Sequence, residues 1–128
     1  MENFPHKNKT YEIIGLCMEV QKTLGFGFSE AIYKDAMEME FEVNGNIYVR
    51  EPELLVCYKG KQLQHRFFAD FICYNEIIIE VKSSEKGITD DHIAQILNYL
   101  RVTGNKIGLI INFGKRRLEH KRLISSYS

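Results

Sequence analysis

The chain has 128 residues and a mass of 15.0 kDa, and its seventeen basic side chains balance seventeen acidic ones. This length predicts one domain over residues 1–128, and the composition excludes disordered, collagen-like and coiled-coil chains. No run approaches the ~18 apolar residues of a membrane span, so we expect no membrane partner. Three cysteines without a C-x-x-C pair, and a start without a signal-peptide pattern, predict reduced thiols and a cytoplasmic location.

The basic residues are concentrated at one end of the sequence. Residues 1–100 carry ten basic against sixteen acidic side chains, whereas residues 101–128 carry seven basic side chains against Glu119 alone. Such a run is usually a solvated tail, but a surface that contacts phosphate has the same composition. The candidate nucleic-acid contacts are Lys115, Arg116, Arg117, Lys121 and Arg122.

Two helices are predicted at the start of the chain. The first runs from about Lys9 to Leu24, where apolar residues recur at three- and four-residue steps. The second begins after the N-cap residue Ser29 and ends at Asn44-Gly45. Its apolar side is predicted to run through Ile32, Ala36, Met39 and Val43.

Extended segments follow the second helix. Short runs between Ile47 and His65 include a hairpin turn at Lys59-Gly60. Two stronger strands cover Phe67 to Cys73 and Ile77 to Lys82. Both belong to the central sheet of the predicted fold.

One more helix and one more strand complete the pattern. The helix runs from Thr89 or Asp90 to Thr103 and is ended by Gly104, and its apolar residues form one stripe. The strand from Ile107 to Phe113 is apolar throughout, as expected of a strand buried on both faces. The predicted fold class is therefore α/β, with a mixed β-sheet flanked by helices.

The register of the two stronger strands follows from their apolar residues. A three-residue turn places Cys73 opposite Ile77 and Ala69 opposite Val81, which makes one face apolar. In that register Asp70 lies opposite Glu80, and Lys82 follows two residues later on the same side. The hydrophobic pattern thus brings three charged residues together.

Two adjacent carboxylates on a largely buried sheet repel each other, so they need a shared proton or a divalent cation. Mg²⁺ takes oxygen ligands of this kind at sites open to water and phosphate. A neighbouring lysine can orient or deprotonate the attacking water and stabilise charge on phosphorus. The alternative is a solvated face, on which Lys82 only neutralises Glu80.

Asp70, followed after a hairpin by Glu80-Val81-Lys82, resembles the D…(D/E)-x-K core of the PD-(D/E)XK (restriction-endonuclease-like) nuclease superfamily. Three further segments resemble signatures of the bacterial GxxExxY proteins, a small-protein branch of that superfamily. They are Gly27-Phe28-Ser29-Glu30-Ala31-Ile32-Tyr33, His92-Ile93-Ala94-Gln95 with Leu97-Asn98-Tyr99-Leu100, and Gly108-Leu109-Ile110-Ile111-Asn112-Phe113-Gly114. The resemblance covers about residues 9–124 and implies a single restriction-endonuclease-like domain.

The resemblance also implies roles for individual residues. The implied ligands of Mg²⁺, for which Mn²⁺ can substitute, are Asp70, Glu80 and the backbone carbonyl of Val81. The implied catalytic residues are Lys82, the accessory acid Glu30 and the glutamine Gln95. From the residues alone, Glu30 could equally be a favourable charge at a helix N-terminus. Gln95 lies on a stripe with His92 and Tyr99 that is either the solvent face or the wall of a cleft.

These observations lead to two hypotheses. The first is a Mg²⁺-dependent nuclease that hydrolyses phosphodiester bonds of nucleic acid, with DNA as the expected substrate. The second is a non-catalytic nucleic-acid-binding or protein-interaction module that retains the nuclease fold. The size motivates the second hypothesis, because 128 residues hold a catalytic core and little else. A nuclease without a partner would need restraint, so a homodimer or a partner protein is expected.

Overall fold

The computed structural model describes residues 7–125. Three helices lie in this part of the chain: α1 (Lys7–Leu24), α2 (Glu30–Asn44) and α3 (Asp90–Thr103). The strands are β1 (Tyr48–Arg50), β2 (Glu53–Leu54), β3 (Cys57–Tyr58), β4 (Lys61–Gln62), β5 (Phe67–Phe68), β6 (Phe71–Cys73), β7 (Ile77–Lys82), β8 (Ile107–Asn112) and β9 (Glu119–Ile124). None of the helices in residues 7–125 is long and apolar enough to cross a membrane.

Five strands form one mixed sheet in the order β1-β6-β7-β8-β9. The two central strands, β7 and β8, are parallel, and the other neighbours are antiparallel. Since parallel strands need a crossover, α3 connects β7 to β8. The pairs β2–β5 and β3–β4 form two small ladders outside this sheet. The predicted α/β class with a mixed sheet is confirmed.

Helices cover both faces of the sheet. On one face α1 and α2 pack around the buried rings of Phe41 and Phe71. On the other face α3 inserts Ile96 and Leu100 against the sheet. All six residues of β8 are buried, which explains the uninterrupted apolar run in its sequence.

The buried side of α2 differs from the predicted one. Tyr33, Met37 and Phe41 face the core, whereas three residues of the predicted apolar line are exposed. Those three are Ile32, Met39 and Val43. Both stripes have helical spacing, and the sheet buries the one with two aromatic rings because large rings remove more apolar area from water.

The predicted β6–β7 register is confirmed for the paired residues. Cys73 lies opposite Ile77 and Phe71 lies opposite Ile79. The predicted pairing of Ala69 with Val81 is wrong, because the ladder ends at Phe71. The Ala69 N–H instead donates to the Pro52 carbonyl, and its side chain joins the cluster on the α3 face. Phe71, Ile79 and Val81 share the predicted apolar face, and the other face carries Ile72 and Ile78 as well as Glu80.

The segment Glu119–Ile124 forms the edge strand β9, which the sequence did not predict. Its central residues are His120, Lys121 and Arg122, and this polar run does not show the alternation of a half-buried strand. All six residues of β9 pair with β8, and these backbone hydrogen bonds stabilise the extended conformation that the side-chain pattern does not predict. The apolar partner strand therefore determines the conformation of this segment.

Asn112 and Gly114 attach the loop that follows β7 to the end of β8. The Asn112 side chain accepts from the Ser84 N–H at 2.8 Å and donates to the Ser84 carbonyl at 2.9 Å. It also donates to Glu119 at 3.0 Å. A Cβ at Gly114 would lie 2.2 Å from the Ser84 backbone nitrogen, so only glycine permits this close approach.

We expect Gly114→Ala to lower the free energy of unfolding by about 3 kcal/mol or more, because rigid backbone meets the new methyl group. Gly15→Ala is the matched control: no atom lies within 4 Å of a Cβ there. In the exposed middle of α1 this change should stabilise the protein by ~0.5–1 kcal/mol. Urea unfolding measures the change in the free energy of unfolding for both variants. Equal changes would contradict the close approach of Gly114 to the Ser84 backbone.

Candidate functional site

Asp70 and Glu80 meet where the β6–β7 ladder ends. Asp70 directly precedes β6, and Glu80 is the fourth residue of β7. The Asp70 carboxylate accepts the Val81 N–H through Oδ2 at 2.6 Å and so continues the hydrogen bonding beyond the last ladder pair. The Asp70 carboxylate is close enough to Glu80 for its negative charge to raise the pKa of the Glu80 carboxyl. The predicted juxtaposition of the two acids is present.

The buried Glu80 carboxyl retains its proton to unusually high pH. Burial, and next the negative charge of Asp70, raise its pKa from the ordinary 4.5 to about 8, while Lys82 opposes the shift. Glu80 is 7% exposed, and its Oε1 has no hydrogen-bond partner within residues 7–125. A proton or a cation must therefore compensate this pair.

Lys34 supplies a positive charge to the other acid. Its Nζ lies 2.9 Å from Asp70 Oδ1 and 3.3 Å from Glu51 Oε1. Burial alone would lower the pKa of Lys34, but the hydrogen bonds and charges of Asp70 and Glu51 raise it. No sequence motif predicted a role for Lys34. The available signal was its position next to Tyr33 on a helix side that is otherwise apolar.

Of the α3 residues His92, Gln95 and Tyr99, which share one side of the helix, Tyr99 is the one that faces Asp70 and Glu80. The Tyr99 ring stacks on Phe67 with 4.1 Å between centroids. Burial, followed by the negative charges of Glu80 and Asp70, raises the Tyr99 pKa, and a hydrogen bond with Gln95 opposes this. Gln95 itself is exposed. Tyr99 therefore borders the site, and Gln95 interacts with Tyr99 rather than with the acids.

His92 begins α3 rather than facing the acids. Its backbone N–H donates to Thr89 Oγ1, and its Nδ1 accepts from the Thr89 N–H, both at 3.2 Å. This reciprocal pair is a capping box, which satisfies donors that the first helical turn leaves open. His92 therefore has a hydrogen-bonding role at the start of the helix.

The G-x-x-E-x-x-Y segment places Glu30 and Tyr33 in different environments. Glu30 is exposed at the first position of α2, one turn before Lys34 on the same side. Tyr33 is buried, donates to the Gly25 carbonyl at 2.8 Å and stacks on Phe113 with 4.2 Å between centroids. The tyrosine therefore ties the loop before α2 to the end of β8, as a packing residue.

The basic candidates separate into two groups. Because β8 is parallel to β7, the run Lys115 to Arg117 emerges at the same end of the sheet as Lys82. Gln21, buried in α1, holds this run by donating to the Lys115 carbonyl at 2.8 Å. Arg116 lies over the Phe26 ring and remains exposed, as does Arg117.

The second group lies on the edge strand β9, where Lys121 is in register with Ile110 and Glu80 on one face of the sheet and Arg122 is on the opposite face, toward α1. Lys121 pairs with Ile110 and Arg122 with Leu109, in the middle of β8. Arg122 is half-buried and donates to Thr10 at 3.0 Å, whereas Lys121 is exposed. The five basic residues therefore do not form one continuous surface at the site.

The acid pair has the donor chemistry of a small divalent-cation site. Asp70 and Glu80 offer carboxylate oxygens, of which Glu80 Oε1 is buried without a partner. The Val81 carbonyl points to the same side as its N–H, which faces Asp70. Residues 7–125 hold no group of three or more His, Cys, Asp or Glu side chains arranged for a metal. Two carboxylates with a carbonyl and water fit Mg²⁺, which keeps several waters.

The raised Glu80 pKa predicts that the metal-free protein loses stability as pH rises. The folded state binds the proton more tightly than the unfolded state, so this contribution is complete below pH 4.5 and is lost as pH rises through about 8. Melting temperatures measured in a chelator should fall over this window. Glu80→Gln should flatten the fall, whereas the exposed-acid control Glu19→Gln should keep it. An unchanged slope in Glu80→Gln would contradict the assignment.

Comparisons with known proteins agree with this geometry. The family model of the PD-(D/E)XK nuclease superfamily matches residues 7–123. No curated protein matches the sequence. The crystal structure of SSO0001 is similar, with a TM-score of 0.58 and 20% identity. The match covers 96% of this chain but only 61% of SSO0001.

A second solved structure has a similar fold. The alkaline exonuclease LHK-Exo from Laribacter hongkongensis matches with a TM-score of 0.52 and 11% identity, covering 98% of this chain and 73% of its own. At these identities the two likenesses concern the fold alone. The family match covers most of the chain and contains Asp70, Glu80 and Lys82 at one end of the sheet. The chain belongs to the PD-(D/E)XK nuclease superfamily.

Proposed function

We propose that this protein is a Mg²⁺-dependent nuclease that hydrolyses phosphodiester bonds in DNA, with Mn²⁺ as a substitute ion. The observation that carries the proposal is the position of Asp70 beside the buried Glu80, whose Oε1 has no hydrogen-bond partner within residues 7–125. Such a pair is costly to bury, and a divalent cation compensates both acids at once. Superfamily membership and the fold shared with an alkaline exonuclease support a nuclease.

The proposed ligands are Asp70, Glu80 and the Val81 carbonyl. A bound Mg²⁺ supplies positive charge that polarises a phosphate oxygen and acidifies water. Lys82 lies two residues after Glu80 on the same side of β7 and interacts with it electrostatically. Its ammonium hydrogen-bonds the attacking water and stabilises the charge that develops on the phosphate.

Two further residues have supporting roles in the proposal. Glu30, at the start of α2, is the accessory acid that approaches the ion's waters from the helix that carries Lys34. Gln95 acts through its hydrogen bond to Tyr99 and is therefore a positioning residue. The assignment to the GxxExxY branch also stays part of the proposal.

The basic residues are proposed to contact the DNA backbone, a contact that adds affinity without reading sequence. Arg116 and Arg117 are the foremost candidates, because they are exposed at the end of the sheet where Lys82 lies. Lys115, beside these two arginines, and Lys121 and Arg122 on β9 are further candidate contacts, although they do not form one continuous surface with Arg116 and Arg117. A homodimer or a partner protein is proposed because a nuclease needs restraint. A cytoplasmic location is proposed because the thiols of all three cysteines are free in the structure.

The second candidate function is a nucleic-acid-binding or protein-interaction module without turnover. The Lys34–Asp70 ion pair favours it, because a resident ammonium compensates one acid without any metal. The two candidates differ in one respect that is simple to measure, namely metal-dependent cleavage.

Cleavage of labelled single- and double-stranded DNA and RNA in Mg²⁺ or Mn²⁺ tests the proposal. We expect DNA cleavage that chelation abolishes. Asp70→Asn, Glu80→Gln and Lys82→Met should each lower the rate at least ~100-fold, because each removes a ligand or the charge at the reacting phosphate. The control Glu19→Gln changes an exposed acid on α1 and should cleave at the wild-type rate.

Melting temperatures of the variants establish that they are folded before their rates are compared. Binding of DNA without metal-dependent cleavage, unchanged in Lys82→Met, would contradict the nuclease and support the binding module. Cleavage of RNA alone would overturn the substrate assignment but not the reaction type.

A further inference from the structure

The Lys34 ammonium lies between two carboxylates at the proposed metal site. Its side chain is 10% exposed, and it contacts Asp70 Oδ1 at 2.9 Å and Glu51 Oε1 at 3.3 Å. Glu51 is 58% exposed. A buried lysine thus has one partner inside the site and a second one that is accessible to water.

The backbone attaches Glu51 to Asp70. The Glu51 N–H donates to the Asp70 carbonyl oxygen at 2.8 Å. Glu51 has a φ of 51°, in the left-handed region that non-glycine residues seldom adopt. This conformation occurs just after β1, and the surrounding contacts must stabilise it. Glu51 is therefore held beside Asp70 rather than reaching it by chance.

The two oxygens of Asp70 are differently occupied. Oδ2 accepts the Val81 N–H at 2.6 Å, a bond within the sheet framework, and Oδ1 carries Lys34. Each oxygen keeps one further lone pair, but a cation that binds through Oδ1 meets Lys34 there. Two positive charges on one oxygen repel each other strongly at this degree of burial.

We propose that Lys34 is the resident cation of this site: its ammonium occupies Asp70 Oδ1 until a divalent ion binds, and then remains on Glu51. The inference rests on the proposed metal site and adds to it a control on metal occupancy. When metal is scarce, the Lys34 ammonium neutralises the charge of Asp70, so the site stays folded without the ion. Lys34 makes the divalent ion bind more weakly than two carboxylates alone would allow.

Calorimetric titration of Mn²⁺ into the purified protein and variants tests this inference. Lys34→Met keeps most of the side chain and removes the charge, so Mn²⁺ should bind about tenfold more tightly or better. Lys34→Arg retains the charge and should keep an affinity near the wild-type value. Lys61→Met, at an exposed lysine of β4, is the matched control and should leave the affinity unchanged.

A second measurement shows whether Glu51 acts through Lys34. Glu51→Gln removes the alternative partner, so it should weaken Mn²⁺ binding in the wild-type background. In the Lys34→Met background it should have a smaller effect, because no ammonium remains to be held. Equal effects in the two backgrounds would overturn the part assigned to Glu51.

Thermal melting checks the same exchange without relying on activity. Without metal, Lys34→Met should melt at a lower temperature than the wild type, because Asp70 loses its ion pair. Saturating Mn²⁺ should raise the melting temperature of Lys34→Met by more than it raises that of the wild type. Equal Mn²⁺ affinity in wild type and Lys34→Met would overturn the inference and leave the proposed metal site intact. Binding by Lys34→Met alone would support it, and binding by neither protein would overturn both proposals.

Discussion

The contact between the Asp70 and Glu80 carboxyl groups is the costly interaction on which the rest of the site depends. Apolar packing against α3 excludes water from Glu80, and the end of the β6–β7 ladder leaves Asp70 beside it. Each acid is compensated differently: Asp70 by Lys34 and the Val81 N–H, Glu80 by retaining its proton. A single divalent ion would replace both compensations, and this is the reason for proposing a metal site rather than a solvated sheet face.

Most residues of the other segments that resemble superfamily signatures do not touch Asp70 or Glu80. They pack the helices and loops around the end of β7. Tyr33 and Phe113 stack and tie the loop before α2 to the end of β8. Asn112 and Gly114 hold the loop that leaves β7 after Lys82. Gly108 lets α3 approach the sheet, since a Cβ there would lie 2.9 Å from Ile96. The loop before α2, the helix α3 and the end of β8 thus together hold the end of β7 in place.

The sequence predicted the parts of the fold that a strong apolar pattern determines. The Phe71–Ile79 register and the fully buried β8 follow from alternation and from an unbroken apolar run, and both are confirmed. The face of α2 was predicted wrongly because two stripes have the same spacing, and only the sheet selects the larger rings. The strand β9 was missed because its pairing with β8, rather than its own residues, makes it extended.

The site was predictable only where one hairpin determines it. Asp70, Glu80 and Lys82 lie on adjacent segments, so a register argument brings them together. Lys34 comes from a helix, and its meeting with Asp70 depends on how α2 packs across the sheet, which no local pattern encodes. The position of Lys34 next to Tyr33 marks a charged residue on the buried side of α2, but its ion pairs with Asp70 and Glu51 could not be predicted from that position.

A crystal structure of the protein soaked in Mn²⁺, with anomalous diffraction recorded at the manganese edge, tests the central claim most directly. We expect one anomalous peak in contact with carboxylate oxygens of both Asp70 and Glu80. No peak at saturating Mn²⁺, or peaks only elsewhere on the surface, would contradict the account of this pair as a cation site.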